Sequence, residues 1–164
     1  MRTCRGFTHG PTLLLVLMRA TSIKLKGTWS GNPIDRVTLD YDGRHRRRLA
    51  LVSDGGTRFL LDLVQTTVLS NGDALVLEDG NLIEVNCALE TLIEVNCPDQ
   101  KDLTRIAWHL GNRHLPTEIS GNSLWIRSDH VIEEMLKSLG AEVRKVSKPF
   151  QPERGAYDEA HNHG

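Results

Sequence analysis

The stretch Leu82-Ile-Glu-Val-Asn-Cys87 recurs ten residues later as Leu92-Ile-Glu-Val-Asn-Cys97, and the hydrophobic period of the chain changes at this repeat. Before it, apolar and polar residues alternate with a period of two, which indicates half-buried β-strands. After it, apolar residues recur at helical spacing in two segments. We therefore predict an α+β chain of two domains, joined near residues 88–90.

The first domain, predicted for residues 18–88, has an all-β pattern. Glycine-containing turn signals separate its strands at short intervals: Asp42-Gly43, Asp54-Gly55-Gly56, Asn71-Gly72 and Asp79-Gly80. Apolar residues that alternate with polar ones predict one strand through Val37, Leu39 and Tyr41. The segments 74–78 and 81–85 flank Asp79-Gly80, which favours a two-residue type I′ turn. A β-hairpin is predicted there.

The second domain, predicted for residues 91–150, has the order β-α-β-β-α-β of a ferredoxin-like arrangement. Its strands are predicted at 92–97, in a short segment after Pro116, at 123–127 and at 141–146. The first helix, 99–110, has one apolar face made of Leu103, Ile106, Ala107 and Leu110. The second, 129–139, has an apolar side made of Val131, Ile132, Met135, Leu136 and Leu139. Ser128-Asp129 is a capping signal for that helix, and Gly140 is its stop signal.

Two terminal segments belong to neither domain. Residues 1–17 are predicted to be a disordered leader or an artefact of start-site choice, with translation beginning at Met18. Their apolar run is far shorter than the ~20 residues of a membrane span. Residues 151–164 are polar and are predicted to form a flexible tail that contains His161 and His163.

Composition excludes several classes of function. The 164 residues include 20 basic and 21 acidic side chains, so no global positive field attracts nucleic acid or anionic lipid. Three widely spaced cysteines argue against a disulfide framework and favour a cytoplasmic location. Cys87 and Cys97 share strand faces with Ile and Val, which predicts buried structural thiols rather than a thiolate pair. Nucleophile, zinc-protease and phosphate-loop motifs are absent from the sequence, so an enzyme is not expected.

Histidines are the candidate metal ligands, because neutral imidazole is the commonest side-chain ligand for nickel, zinc and copper. His109 lies off the apolar face of the first helix, which predicts an exposed or interface position. His114 projects from the end of that helix, and a twofold dimer contact there would bring two copies of the imidazole together. A mere capping or interface role for His114 is the plainer alternative.

Three further histidines could complete such a site. His161 and His163, on the mobile tail, would give an exchangeable rather than a closed coordination sphere. His130 lies near the start of the second helix, where the helix dipole disfavours a positive charge, so it is expected to stay neutral. The alternatives are a solvated surface histidine at 130 and a terminal His-x-His pair without a role.

The run Arg44-His-Arg-Arg-Arg48 is the one basic cluster in the sequence. Its functional interpretation is a contact with an acidic protein surface or with phosphate. The structural alternative is a solvated strand end with alternate arginines pointing outward.

The run Asp102-Leu-Thr-Arg-Ile-Ala-Trp-His-Leu-Gly-Asn-Arg-His-Leu-Pro116 resembles the UreE family of urease accessory proteins, which are nickel metallochaperones. The resemblance continues through Ile126-Arg-Ser-Asp-His-Val131 and the segments 135–140 and 149–157, and it covers residues 18–157. It also includes 59–63 and 72–80 in the first half.

This resemblance implies a peptide-binding-like β domain and a ferredoxin-like metal-binding domain. It also implies a homodimer bridged by nickel at His114, with Trp108 and His109 near the interface, and delivery of Ni²⁺ to apo-urease with the accessory GTPase UreG. Zn²⁺ or Cu²⁺ could bind in vitro. Ser128 stands where some members have a second histidine, and the tail has only two histidines, so few ions per dimer are expected.

Three alternatives to this function are considered. The order β-α-β-β-α-β is also that of the RNA recognition motif, but the aromatic content is 5% and no base-stacking strand motif is present in the sequence. A general zinc- or copper-binding protein is a second alternative. A zinc hydrolase would need an acid or base at fixed spacing from three ligands, and the sequence has no such pattern.

Overall fold

The computed structural model describes residues 18–154, so the predictions for residues 1–17 and for His161 and His163 lie outside the described residues. Its first-half elements are β1 (Met18–Lys24), β2 (Asp35–Leu39), α1 (Tyr41–Arg44), β3 (His45–Val52), β4 (Arg58–Val68), β5 (Ala74–Leu77) and β6 (Leu82–Cys87). The second-half elements are β7 (Leu89–Asn96), α2 (Gln100–Asn112), β8 (Glu118–Ser120), β9 (Ser123–Arg127), α3 (His130–Ser138) and β10 (Glu142–Pro149). None of the helices among these residues is long and apolar enough to cross a membrane.

The first half folds as one six-stranded sheet in the order β2-β6-β5-β1-β4-β3. Strand β1 pairs in parallel with β4 and antiparallel with β5, and β2 pairs in parallel with β6. Alternate residues of these strands form one apolar core, which includes Val37, Phe59, Leu61, Leu75, Ile83 and Val85. The prediction of a β-rich first half is therefore confirmed, apart from the four-residue helix α1.

That helix makes the predicted strand position of Tyr41 wrong. Strand β2 ends at Leu39, and the carboxylate of Asp40 accepts a hydrogen bond from the Gly43 amide at 2.7 Å, which starts a helical turn. Aspartate is a strong N-cap residue, so the sequence held a local signal for this turn that alternation of apolar residues obscured.

The predicted hairpin forms between β5 and β6, but the predicted type of turn is wrong. Val76 pairs with Leu82, and the Gly80 amide donates to the Leu77 carbonyl at 2.9 Å. Gly80 has φ of 86°, whereas Asp79 is not among the positive-φ residues, so a two-residue type I′ turn is excluded. A three-residue loop with glycine in the left-handed position connects the strands instead.

The second half folds as a four-stranded antiparallel sheet in the order β10-β7-β9-β8. Its chain order is β-α-β-β-α-β, as predicted. The two helices and the sheet share one core, which includes Ile93, Val95, Leu103, Ile106, Leu110, Leu124, Ile126 and Leu136.

Helix α3 begins as the capping signal predicts, but one residue of its predicted apolar side faces away from the core. The Asp129 carboxylate accepts hydrogen bonds from the amides of Val131 and Ile132 at 2.8 and 3.1 Å. Val131 is 59% exposed, whereas Leu136 is fully buried. Because five residues correspond to a rotation of about 140° around the helix, these two side chains cannot share a narrow face.

The two halves contact each other through α1. The ring of Tyr41 packs edge-on against Phe150, with centroids 5.4 Å apart, and the Arg127 guanidinium lies 5.6 Å from the Tyr41 centroid. Asp42 pairs with Arg127 at 2.7 Å, and the Tyr41 amide donates to the Glu90 carboxylate at 2.9 Å. Residues of both halves therefore meet around one aromatic ring.

Candidate metal centre

Helix α2 ends in a Schellman motif with a histidine at its critical position. The His114 amide donates to the Gly111 carbonyl at 2.9 Å, and the Leu115 amide donates to the Leu110 carbonyl at 3.2 Å. The motif needs a left-handed residue at the first position after the C-cap. His114 is that residue, and its φ is 54°. Among residues 18–154, it is the only non-glycine residue with positive φ.

Helix α3 ends in the same motif with the usual residue. The Gly140 amide donates to the Lys137 carbonyl at 3.0 Å, and the Ala141 amide donates to the Leu136 carbonyl at 3.1 Å. Gly140 has φ of 87°. A side chain in the left-handed conformation costs about 1–2 kcal/mol that glycine does not incur. A histidine in this strained position is therefore a candidate for a functional role of its imidazole.

The helix end also differs from the predicted one. The predicted helix ends at residue 110, whereas α2 continues to Asn112 with Arg113 as its C-cap. The stop is therefore at His114 itself. The predicted projection of His114 from a helix end is confirmed, and its side chain is exposed.

A cleft of about 470 Å³ is lined by residues that neighbour His114 and His130 in the sequence, although neither histidine lines it. Leu115 and Pro116, which follow His114, line it together with Ser128 and Asp129, which precede His130. His130 is exposed at the first position of α3. The fold thus brings the end of α2 and the start of α3 to one cleft, although they are distant in the sequence.

His109 and Trp108 lie together near the end of α2. Trp108 is 63% exposed, and its ring packs edge-on against the half-buried His109 ring, with centroids 5.1 Å apart. Neither residue belongs to the core around α2, as predicted for His109. A large exposed indole beside an imidazole is a typical feature of a contact surface.

No group of three His, Cys, Asp or Glu side chains within residues 18–154 is placed to hold a metal ion. The structure therefore does not bring His109, His114 and His130 together as a ligand set with acidic neighbours. It does place the origin of the tail close to His114. The Glu153 amide donates to the Thr117 carbonyl at 2.9 Å, and Thr117 is three residues from His114.

The two described cysteines belong to no group of three metal-ligating side chains among residues 18–154. Cys87 and Cys97 are free and half-buried rather than fully buried as predicted. Desolvation raises the pKa of both thiols above the ordinary value, although Arg44 opposes this shift at Cys87. Both thiols are therefore protonated at neutral pH, which favours the structural interpretation of the two residues.

The basic run Arg44–Arg48 divides into a buried part and an exposed part, and neither interpretation of the sequence predicts this division. Arg44 is 2% exposed, and its guanidinium donates to the carbonyls of Leu69 and Phe150. Arg46, Arg47 and Arg48 are exposed on β3, the edge strand of the first sheet. The interpretation of Arg44 as part of a solvated strand end is therefore wrong. Arg44 belongs to α1, and its side chain is buried where the two halves meet.

A bulge in β4 adds an apolar side chain beside the exposed arginines. Arg46 pairs with Thr67 and Arg48 with Asp62, so β4 has extra residues between these positions. Val64 lies within the bulge and is 90% exposed. The Arg47 guanidinium donates to the Leu63 carbonyl at 3.3 Å.

The second sheet lacks an aromatic pair suited to stacking nucleic-acid bases on β7 and β9. Trp125 on β9 pairs with Glu94 on β7, and the Lys148 ammonium lies 4.0 Å from the Trp125 centroid. An RNA recognition motif instead exposes two or three aromatic rings on these strands. This face therefore gives no support to the RNA-binding alternative.

Comparisons with known proteins agree over nearly the whole chain. The family model "UreE urease accessory protein, N-terminal domain" matches residues 16–88, and "UreE urease accessory protein, C-terminal domain" matches residues 90–164. A urease accessory protein UreE of Rhodopseudomonas palustris (strain BisB18) is 54% identical over 90% of this chain and 72% of its own length. The proteins of the same name from Bradyrhizobium sp. (strain ORS 278) and Rhodobacter capsulatus are 55% and 47% identical, over 90% and 91% of this chain and 71% and 95% of their own lengths.

Proposed function

Because the chain belongs to the UreE family of urease accessory proteins, we propose that it binds Ni²⁺ and delivers it for assembly of the urease active site. Proteins of this family are accessory chaperones rather than enzymes. The nickel ion is therefore the cargo of the protein, and no catalytic residue is assigned.

The left-handed conformation of His114 carries the assignment of the primary ligand. Its φ of 54° is strained for any side chain, and the imidazole is exposed at a helix end rather than packed in the core. In a homodimer with this helix end on the twofold axis, the two copies of His114 would face one ion. Nickel is well suited to imidazole nitrogen ligands.

The tail would supply further ligands. Two imidazoles leave a coordination sphere open, and His161 and His163 lie eight and ten residues after Glu153. The hydrogen bond of Glu153 to Thr117 supports this role, because it ties the start of the tail to a residue that is only three positions from His114. Such ligands can exchange, which suits a carrier that must release its ion.

The remaining candidate residues have secondary roles in this proposal. Trp108 and His109 would lie at the dimer interface, where an exposed indole can become buried. His130 would be a peripheral ligand next to the shared cleft, and Ser128 limits that site because it cannot replace an imidazole. We therefore expect about one tight ion per dimer.

The two halves would have different roles. Residues 91–150 would hold the metal and the dimer contact, and residues 18–88 would contact the partners, which are apo-urease and the accessory GTPase UreG in the cytoplasm. The exposed Arg46, Arg47 and Arg48 on an edge strand suit an acidic protein surface. Membrane and nucleic-acid partners have no part in the proposal.

Nickel titration by calorimetry, with molar mass measured by light scattering, tests the primary site. We expect about one tight event per dimer in the wild type and its loss in His114→Ala. His45→Ala is the matched control, because His45 is an exposed histidine of the first half and should leave the event unchanged. An unchanged tight event in His114→Ala would refute the assignment, and a preference for Zn²⁺ or Cu²⁺ in competition would favour the general metal-binding alternative.

A further inference from the structure

The bulge in β4 leaves a segment of the first sheet without neighbouring strands. Strand β1 pairs with β4 only from Met18 to Ala20, and from Ser22 onward it pairs with β5 alone. On the other side of β4, residues 63–66 lie within the bulge and have no paired residue on β3. The backbone of residues 63–66 is therefore not paired with a strand on either side among residues 18–154.

A groove of about 360 Å³ lies beside this segment. Leu63 is buried in the core of the first half, and Ile23 packs against that core, so part of the lining is apolar. Val64 is 90% exposed, which is the largest value among the exposed large apolar side chains of residues 18–154. The groove is lined by Thr21, Ile23, Leu63, Val64, Gln65 and Thr67. An apolar groove with an almost fully exposed valine is typical of a contact surface.

The arginines of β3 next to the bulge have an excess of positive charge. Arg46 and Arg47 form no ion pair with a carboxylate of residues 18–154. Arg48 lies 3.8 Å from the carboxylate of Asp62, which also pairs with Arg19. One carboxylate is thus shared between two guanidinium groups, and two further guanidinium groups have none. This charge favours an acidic partner.

Arg47 connects the basic residues to the groove. Its guanidinium donates to the Leu63 carbonyl at 3.3 Å, and Val64 follows Leu63 in the chain. A positive charge therefore lies within one residue of the exposed valine. Arginine is enriched at protein interfaces, because its guanidinium binds carboxylates while its aliphatic stem covers apolar surface.

We propose that this groove binds an extended acidic segment of a partner protein. An apolar side chain of the segment packs beside Val64, and its carboxylates pair with Arg46 and Arg47. The backbone groups of residues 63–66 bond the main chain of the segment, as in other modes of extended-peptide recognition. A second copy of this chain suits the groove less well, because a twofold contact would bring the same arginines together. The inference rests on the proposed contact of the first half with partner proteins.

Fluorescence anisotropy with labelled peptides tests the proposal on the full chain. The first peptide has about ten residues, with glutamates on both sides of a central leucine. The second replaces the leucine with serine, and the third replaces the glutamates with glutamines. We expect the first peptide to bind about fivefold more tightly than either of the others, because each of them lacks one kind of contact.

Two variants assign these contacts to residues. Val64→Ser should weaken the leucine peptide about fivefold and leave the serine peptide unaffected. Arg47→Gln should weaken both glutamate peptides about fivefold and leave the glutamine peptide unaffected. The matched controls are Val131→Ser, at an exposed valine of α3, and Arg58→Gln, at an exposed arginine near the other end of the β3–β4 pair. Neither control should change the dissociation constant of the leucine peptide.

Contrary outcomes are distinct. Equal losses from Arg47→Gln and Arg58→Gln would indicate attraction by net charge and would overturn the proposal. Equal binding of the leucine and serine peptides, or binding of none of the three, would also overturn it, and this comparison needs only the wild-type chain. If Val64→Ser lowers the molar mass of the free protein in light scattering, the groove is an interface between copies of this chain, and the proposal is wrong. The proposed nickel function is judged separately, by His114→Ala.

Discussion

The amide of His114 donates a hydrogen bond to the carbonyl of Gly111 at 2.9 Å, and this bond ends helix α2. His114 itself is in the left-handed conformation. The corresponding position in α3 is occupied by Gly140. The candidate ligand therefore lies where glycine would be more stable, which links the metal function to a measurable cost in stability.

We predict that His114→Gly is more stable than His114→Ala by about 1 kcal/mol, because only glycine avoids the strain of positive φ. Urea unfolding of the metal-free protein measures this difference. Gly140→Ala is the reciprocal control and should lower the free energy of unfolding by a similar amount. Equal stability of the two His114 variants would contradict the strain argument.

If the proposed homodimer forms at the end of α2, replacing Trp108 should weaken the dimer more than the metal site. Trp108 is 63% exposed in one chain, and truncation of a buried interface tryptophan commonly costs at least about 2 kcal/mol. Trp108→Ser should therefore raise the dimer dissociation constant roughly 30-fold, measured by sedimentation over a dilution series. Val131→Ser is the control for loss of an exposed apolar side chain on the other helix. A dimer unaffected by Trp108→Ser would place the interface elsewhere.

Nickel affinity should fall as the pH is lowered from 7.5 to 5.5. An imidazole must be neutral to bind, and the neutral fraction of free histidine falls from about nine-tenths to about one-tenth over this range. A site that holds the ion with two imidazoles should therefore lose about 100-fold in affinity at pH 5.5. Titrations in matched buffers measure this, and a flat profile would exclude a histidine site.

Exposed arginines of β3 should contribute to partner binding with little effect on stability. The double variant Arg46→Ser/Arg48→Ser should weaken binding to immobilised apo-urease about fivefold, at the ~0.2–1 kcal/mol of an exposed charge contact. Added salt should reduce the difference from wild type. Arg58→Ser is the control, because it removes one exposed charge near the other end of the same strand pair. An equal loss per charge removed would indicate a net-charge effect rather than a docking surface.

Stability at acidic pH should depend on Asp35. Its carboxylate accepts hydrogen bonds from the Ser53 hydroxyl and from the Arg36 and Gly55 amides, and these bonds lower its pKa from the usual 3.8. A carboxylate with a lowered pKa in the native state stabilises the fold at pH values above its pKa in the unfolded state. This contribution disappears as the pH falls through its pKa in the native state. The advantage of wild type over Asp35→Asn in unfolding free energy should thus shrink below pH 3.8, measured by urea unfolding at several pH values. A constant difference would contradict this.

The sequence by itself determined the β-rich character of the first half, the β-α-β-β-α-β order of the second half and the position of His114 at a helix end. The reason is that these features depend on near neighbours: alternation along a strand, a stripe along a helix, and a cap such as Asp129 that acts within three residues. Even local patterns failed where two signals competed. Asp40 caps a short helix where alternation of apolar residues predicted a strand. The loop at Asp79-Gly80 has three residues rather than the predicted two, because the pairing register of β5 and β6 sets its length.

Only the tertiary structure decided which charged residues are buried and where the tail begins. Arg44 resembles its arginine neighbours in the sequence, yet its partner Phe150 is 106 residues away. The bond between Glu153 and Thr117 likewise joins the chain end to the segment after His114. Such contacts arise when remote segments of the chain meet, and no local period encodes them, because burial and pairing depend on residues that are far apart along the chain.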